Sequence, residues 1–243
     1  QKDKNTASMS AIFARYLSEN KELSQKTKDY LLAFVIAKFD LNPYTSDVDK
    51  VKKVSEDYIK DSEVKKDLNS AINAVFGLKK GEEAPKVNLV KLDGKSSSFE
   101  SNGKPTLVMT YASWNPYIGQ STVPVLKEVV NFYKSKVNFA FVNVDDTKEQ
   151  FTKTANAMLK GIPGTNYYGE GGLSSEYAKK YFIYGFKIPG FFLIDKDGKV
   201  ASQTFYNLGD PKFVEEMNKI SGLQAPSVNP QATLQNDLLQ QNP

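Results

Sequence analysis

The sequence predicts an α/β fold, a central sheet flanked by helices and preceded by a small all-helical domain. Three observations carry this. Residues 1–80 hold apolar residues at helical spacing and no strand-like run. Past GLKKGEEAP (77–85), where glycine, charge and proline meet, the pattern changes to alternating strand and helix. Within that part, TLVMTYA (106–112) and VNFAFVNV (137–144) are continuous apolar runs, as expected of strands buried on both faces. The expected units are a helical domain over 1–80, an α/β domain over 81–222 and an extended tail over 223–243. The tail is rich in Gln, Asn and Pro and has few apolar anchors.

Met9, Ile12, Phe13 and Tyr16 fall at i, i+3, i+4 and i+7, one apolar stripe of a first helix. Leu32, Val35, Ile36 and Phe39 repeat that spacing, and Leu31 and Phe34 widen it. This second helix is therefore expected at the buried centre of the group, stopped by Asn42-Pro43. Val51, Val54 and Tyr58 mark a third helix. Ser62 is the expected N-cap of a fourth, with Val64, Leu68, Ala71, Ile72 and Val75 on one face. Stripes this wide are expected to be consumed by packing within the bundle and against the sheet, so that the helices cover a sheet face; a docking surface is the alternative. In the second part, VNLVKLDGKSSSFES reads as a hairpin turning at Asp93-Gly94. Val125, Leu126, Val129, Val130 and Tyr133 mark a helix, and 147–160 and 174–182 are helix-like. FFLID (191–195), the Asp197-Gly198 turn and KVASQTF (199–205) read as a second hairpin, and FVEEMNKI (213–220) as a closing helix.

Composition removes several function classes. The net charge of +4 is carried almost wholly by Lys, and Arg15 is the only arginine. Base readout and bidentate phosphate recognition lean on Arg, and these lysines alternate with acids, as in KVKKVSEDYIKDSEVKKD (50–67). Nucleic acid is not an expected partner. No apolar run approaches the ~20 residues of a membrane-spanning helix. With no cysteine and no histidine, the chain has no disulfide, thiolate nucleophile, Ser-His or Cys-His dyad, histidine-ligated haem or structural zinc. Asp145-Asp146 and Glu149 lack the spaced oxygen ligands of a calcium loop and read as the acidic start of a helix. No cofactor and no metal are expected.

Three stretches then carry a resemblance: the strand leading into YASWNPY (111–117), VNFAFVNVDD (137–146), and YFIYGFKIPGFFLIDKDGKV (181–200) with its proline, strand and tight turn at fixed offsets. Over roughly residues 84–222 the chain resembles the thioredoxin-like superfamily, specifically the secreted bacterial thiol-disulfide oxidoreductases related to the cytochrome c maturation proteins. The resemblance implies a thioredoxin-like central mixed sheet and a cis Ile188–Pro189 bond beside the motif. It also implies a partly exposed Trp114 on the motif surface and backbone hydrogen bonds from Ile188 to an extended peptide.

The departures from the family pattern define the expected function. In Trp114-Asn115-Pro116-Tyr117-Ile118, Asn115 and Ile118 stand by position where the two cysteines would be. Gly119 replaces the usual basic residue, and Pro124 sits one residue further along than the pattern predicts. Thiol exchange needs one thiolate to attack sulfur and a second to resolve the mixed disulfide, and neither an amide nor an isoleucine does this. No catalytic residue is assigned. The expected function is a redox-inactive binding module holding a protein or extended peptide at Trp114, Ile188 and Pro189. The expected location is the periplasm or the cell exterior, with a signal peptide removed. The alternative is a glutathione-binding or transferase-like enzyme in which Asn115, with Tyr117 or Tyr111, donates a hydrogen bond to a thiol. IPGTNYYGEGG (162–172) reads as the least regular segment. Its Tyr167 and Tyr168 are weighed both as loop contacts for a sugar or protein and as rings folded back onto the domain.

Overall fold

A computed structural model describes residues 9–42, 45, 47–99, 102–115 and 117–225. The first part is four helices: α1 (Met9–Glu19), α2 (Gln25–Val35, prolonged by a π-turn over Ile36–Asp40), α3 (Val48–Tyr58) and α4 (Ser62–Phe76). Side-chain oxygens set their starts. Ser24 accepts the Thr27 N–H, Asp47 that of Lys50, and Asp61 those of Glu63 and Val64. The fourth helix is thus capped by Asp61, one residue earlier than the expected Ser62. The helices close on a core that includes Leu17, Leu32, Ile36, Val51, Leu68 and Ile72.

Asp29 ties this bundle together from inside. Its buried carboxylate accepts from Gln25 Nε2 at 2.7 Å and from the Lys60 and Asp61 N–H groups at 3.0 and 2.7 Å, pinning the α3–α4 turn to α2. Asp29→Ala is expected to cost about 2–3 kcal/mol, because two backbone donors lose a charged acceptor. Urea denaturation measures this; a loss under about 0.5 kcal/mol would show that solvent replaces the carboxylate.

The expected α1 stripe does not face the core, and the α2 stripe does so only through Leu32, Val35 and Ile36. α1 buries Ser10, Ala14 and Leu17, and Met9, Ile12 and Tyr16 are exposed. α2 buries Asp29, Leu32 and Val35, leaving Leu31 and Phe34 exposed, as is Phe39 in the π-turn. The physical reason is backbone approach: α1 packs against both α2 and α3, and the small Ser10 and Ala14 admit that contact where larger side chains would hold the helices apart. Nor do these helices cover a face of the sheet. They have their own core and meet the second part through a few side chains.

The second part is a six-stranded mixed sheet in the order β2-β1-β5-β4-β3-β6. Its strands are β1 (Leu89–Lys91), β2 (Ser96–Ser97), β3 (Thr106–Tyr111), β4 (Asn138–Asn143), β5 (Thr165–Tyr168) and β6 (Gly190–Ile194). β3, β4 and β5 run parallel, β6 pairs antiparallel with β3 from Thr106↔Ile194 to Thr110↔Gly190, and β1 pairs antiparallel with β5. β3 is buried at every position, as its unbroken apolar run predicts. The remaining helices are α5 (Val123–Tyr133), α6 (Lys148–Met158), α7 (Glu176–Lys180) and α8 (Pro211–Ser221). Strand alternation assigns their sides. Phe191, opposite Met109, packs on Phe213 of α8, whereas Phe192, opposite Val108, stacks on Tyr181 just past α7. Tyr177 of α7 bonds the Thr110 hydroxyl on that same side.

Two expectations change here. IPGTNYYGEGG is not irregular throughout: Tyr167 and Tyr168 lie in β5, buried, and offer no loop contact. Tyr167 is edge-on to Phe99, and Tyr168 stacks on Phe151 and donates to the Asp146 carbonyl at 3.0 Å. Glycine and proline on both sides concealed a four-residue strand. Residues 199–205 form no continuous strand, and contact β6 through isolated bridges at Ile194↔Val200 and Phe191↔Phe205. Between them the Ser202 hydroxyl, not a backbone carbonyl, accepts the Leu193 N–H at 2.9 Å, which breaks the ladder as a bulge does.

The two parts meet along residues 182–206. The Tyr206 hydroxyl donates to the Ala74 carbonyl at 2.7 Å, Lys80 pairs with Glu216 at 2.8 Å, and Tyr184 packs against the helical core. Gly77, at the end of α4, is required by this contact: a Cβ there would stand 2.5 Å from the Phe182 ring.

Candidate functional site

The candidate site is the loop leaving the C-terminal end of β3, where open α/β sheets place their ligands. Its sequence is Ser113-Trp114-Asn115, then Tyr117 and the first turn of the following helix; Pro116 of the expected motif lies outside the described residues. That turn, Ile118–Thr122, is π-helical before α5 begins at Val123. A π-turn accommodates one extra residue within a helix. It therefore accounts for the one-residue displacement of Pro124.

Asn115 is the hinge of the arrangement. Its Nδ2 donates to the Ile188 carbonyl at 2.6 Å, and its Oδ1 accepts the Tyr117 N–H at 3.1 Å. Its own carbonyl accepts the Ile188-independent bond from Ile118 N at 3.3 Å, closing the turn. One side chain thus caps its own turn and crosses to the Ile188–Pro189 segment, whose peptide bond is cis. Trp114 is 48% exposed, and its ring edge lies near Gly185, where a Cβ would be 3.8 Å from Cη2. Tyr117 stands out into solvent, whereas Ile118 is fully buried and belongs to the core. The structure therefore joins Asn115 to Ile188, sets the Trp114 ring edge near Gly185, leaves Tyr117 exposed, and removes Ile118 from the surface.

Beneath the loop lies a residue the sequence assigned elsewhere. Asp145, expected at a helix start, is fully buried. Its Oδ1 accepts from Ser113 N and Ser113 Oγ at 2.8 and 2.9 Å, and its Oδ2 from Asn143 Nδ2 and Thr154 Oγ1 at 2.8 and 3.2 Å. Four donors compensate the desolvated carboxylate, which in turn fixes the residue before Trp114. The helix start belongs to Thr147, which forms a capping box with Gln150. The Tyr111 phenol is held well above its usual pKa, by burial first and by the Asp145 charge second. Buried and neutral, it is no acid for chemistry at this surface. No local signal marks Asp145, which lies two residues past the end of β4 and ahead of a helix.

Among the described residues no group of three or more acidic side chains is placed to hold a metal ion, and no helix is long and apolar enough to cross a membrane.

Comparison with known proteins agrees with this architecture. Residues 102–200 match the family described as thioredoxin-like. The chloroplast thioredoxin-like protein HCF164 of Oryza sativa subsp. japonica is 32% identical over 105 residues, 40% of this chain and 39% of that protein. The thiol:disulfide interchange protein TxlA homolog of a Synechocystis strain is 38% identical over 71 residues, 29% of this chain and 38% of that protein. The chain thus spans about two fifths of the length of these curated relatives. Among solved structures, the C-terminal domain of a putative thiol-disulfide oxidoreductase from Bacteroides thetaiotaomicron superposes with a TM-score of 0.50 at 27% identity. The match covers 59% of this chain and 97% of that one. The sheet part of the chain thus has a thioredoxin-like fold, is similar to thiol-disulfide oxidoreductases, and contains no cysteine.

Proposed function

We propose that the chain is a redox-inactive thioredoxin-fold binding module that holds a protein or extended peptide at the surface formed by Trp114, Asn115, Tyr117, Ile188 and Pro189. Residues 1–80 would form its helical domain, 81–222 its thioredoxin-like domain and 223–243 its tail, with the cell envelope or exterior as its location. The observation that carries the proposal is the pair of exposed aromatic side chains, Trp114 and Tyr117, on a loop that the Asn115–Ile188 bond holds in place. An extended segment would add to the edge presented by Ile188 and seat a side chain on Trp114.

A glutathione-binding enzyme has less support. Both polar atoms of the Asn115 side chain already have protein partners, and Tyr111 is buried.

Trp114 is the only tryptophan, so its emission reports on this surface directly. Titration with reduced glutathione and with a set of short extended peptides is expected to give a saturable change with peptide alone. Tyr117→Ala, at an exposed position, and Ile188→Arg should each weaken it by roughly tenfold or more. No change with any peptide, or one indifferent to both substitutions, would overturn the proposal. A response to glutathione alone would favour the enzyme.

A further inference from the structure

A second surface, apart from the Trp114–Ile188 site, lies where the helical bundle meets the 184–187 segment. α2 and α4 run beside each other there, and Ala33 and Ala37 on one with Ala71 on the other leave a shallow trough of about 400 Å³. Its walls are aromatic: Tyr30 and Phe34 on α2, and Tyr184 and Phe186 across from them. Phe34 is 58% exposed and Phe186 is 89% exposed, an unusual degree for phenylalanine. Contiguous apolar surface of this kind on a folded chain marks a place of contact.

The charges around the trough say what kind of contact. Lys38 holds its ammonium 5.5 Å from the ring centres of both Phe34 and Phe39. Lys187, half withdrawn from water, lies 5.2 Å over the Tyr206 ring. Among the described residues neither lysine has an ion pair. Asp67, the one acid lining the trough, lies beside Tyr184, whose phenol is held above its usual pKa by burial first and by the Asp67 charge second. The surface is therefore apolar in the middle, with two lysines and one acid at its borders.

We infer that this trough is a docking site for an amphipathic, acidic peptide segment of a partner protein, one that lays aromatic or aliphatic side chains between α2 and the 184–187 segment and sets carboxylates against Lys38 and Lys187. The apolar side chains fill space that the alanines leave open. The carboxylates neutralise two cations, one of them already partly desolvated, so complementarity of charge fixes the orientation. A segment of this type docks as a helix or short strand in a groove, with side chains three or four positions apart as anchors.

The experiment is selection of a displayed library of random peptides, about twelve residues long, on the full chain. Counter-selection uses the Phe34→Ser/Phe186→Ser variant, both of whose positions are exposed, with its fold checked by circular dichroism. The expected result is enrichment of net-acidic peptides with large apolar residues three or four apart. One such peptide, synthesised and labelled, should bind in an anisotropy titration and lose at least about tenfold both with Phe34→Ser/Phe186→Ser and with Lys38→Glu/Lys187→Gln. Tyr117→Ala should leave this titration unchanged, which separates the result from that of the Trp114–Ile188 site. Absence of enrichment, enrichment of basic peptides, or binding indifferent to the two double variants would overturn the inference. So would concentration-dependent dimerisation abolished by Phe34→Ser/Phe186→Ser, which would give the face to a second copy of the chain.

Discussion

Asp145→Ala is expected to destabilise the protein by about 3–4 kcal/mol and to shift the emission of Trp114 to the red. The carboxylate is fully buried and accepts four hydrogen bonds, two of them from Ser113. Removing it strands the Ser113 N–H and the Asn143 amide without an acceptor, each at about 1–3 kcal/mol when buried. The Thr154 and Ser113 hydroxyls can rotate toward other acceptors, which limits the total. At roughly 2–4 °C per kcal/mol for a chain of this size, the melting temperature should fall by about 10 °C. Asp145→Asn keeps one acceptor and should lose less. The red shift follows because Ser113 is the residue before Trp114, and a loosened loop exposes the indole further. Urea unfolding and fluorescence together decide it. A loss under about 1 kcal/mol with unchanged emission would mean that the loop is held by the Asn115–Ile188 bond and not from below.

Asn115→Cys/Ile118→Cys is expected to form a disulfide under mild oxidation and to accelerate insulin reduction by dithiothreitol at least about tenfold above the parent chain. The Ile118 N–H to Asn115 carbonyl bond places the two residues at the ends of a four-residue turn. Their Cα atoms then lie within about 7 Å, inside the span a disulfide bridges. A thiol at 115 would be partly accessible and one at 118 buried, the asymmetry in which one sulfur attacks and the other resolves. The exchange at Ile118 removes buried apolar volume and should cost about 1–2 kcal/mol. Thiol counting before and after oxidation measures the bond. Two free thiols after oxidation would show that the π-turn has displaced residue 118 from the second cysteine position, and that the frame has lost the geometry as well as the sulfur.

Much of the sheet was legible because its strands are extreme cases. Thr106–Tyr111 and Asn138–Asn143 are mostly apolar and buried at nearly every position, as expected of strands covered on both faces. Thr165–Tyr168 escaped because four residues between glycines carry too little periodicity to distinguish strand from loop. The helical stripes misled for a different reason. Spacing shows which residues share a face, but packing decides which face turns inward. In α1 the small Ser10 and Ala14 prevailed over Met9, Ile12 and Tyr16 because close approach of backbones outweighs the burial of three larger groups.

At the site, two family motifs in the sequence pointed to the segments that carry Asn115 and Ile188. The bond joining them was not legible, since it links residues 73 apart in the chain. Asp145 escaped because acidic residues ahead of a helix have a simple local explanation, and only tertiary structure turns one of them inward.

The register of the sheet also constrains the order in which the protein can assemble as it is synthesised. All the buried residues of the helical core fall between Ala14 and Val75, so that core is complete before any strand of the sheet has been made. β3 is an interior strand of the sheet, yet one of its two neighbours, the edge strand β6, begins only at Gly190. Until β6 emerges, the edge of β3 that should receive it has unpaired backbone groups along a strand that is buried at every position in the folded protein. A chain emerging from the ribosome at about 5–20 residues per second would carry that open edge for roughly 4–20 seconds. The bundle would by then be folded beside it. The period of greatest exposure to wrong pairing thus belongs to the thioredoxin-like part and not to the helices that precede it.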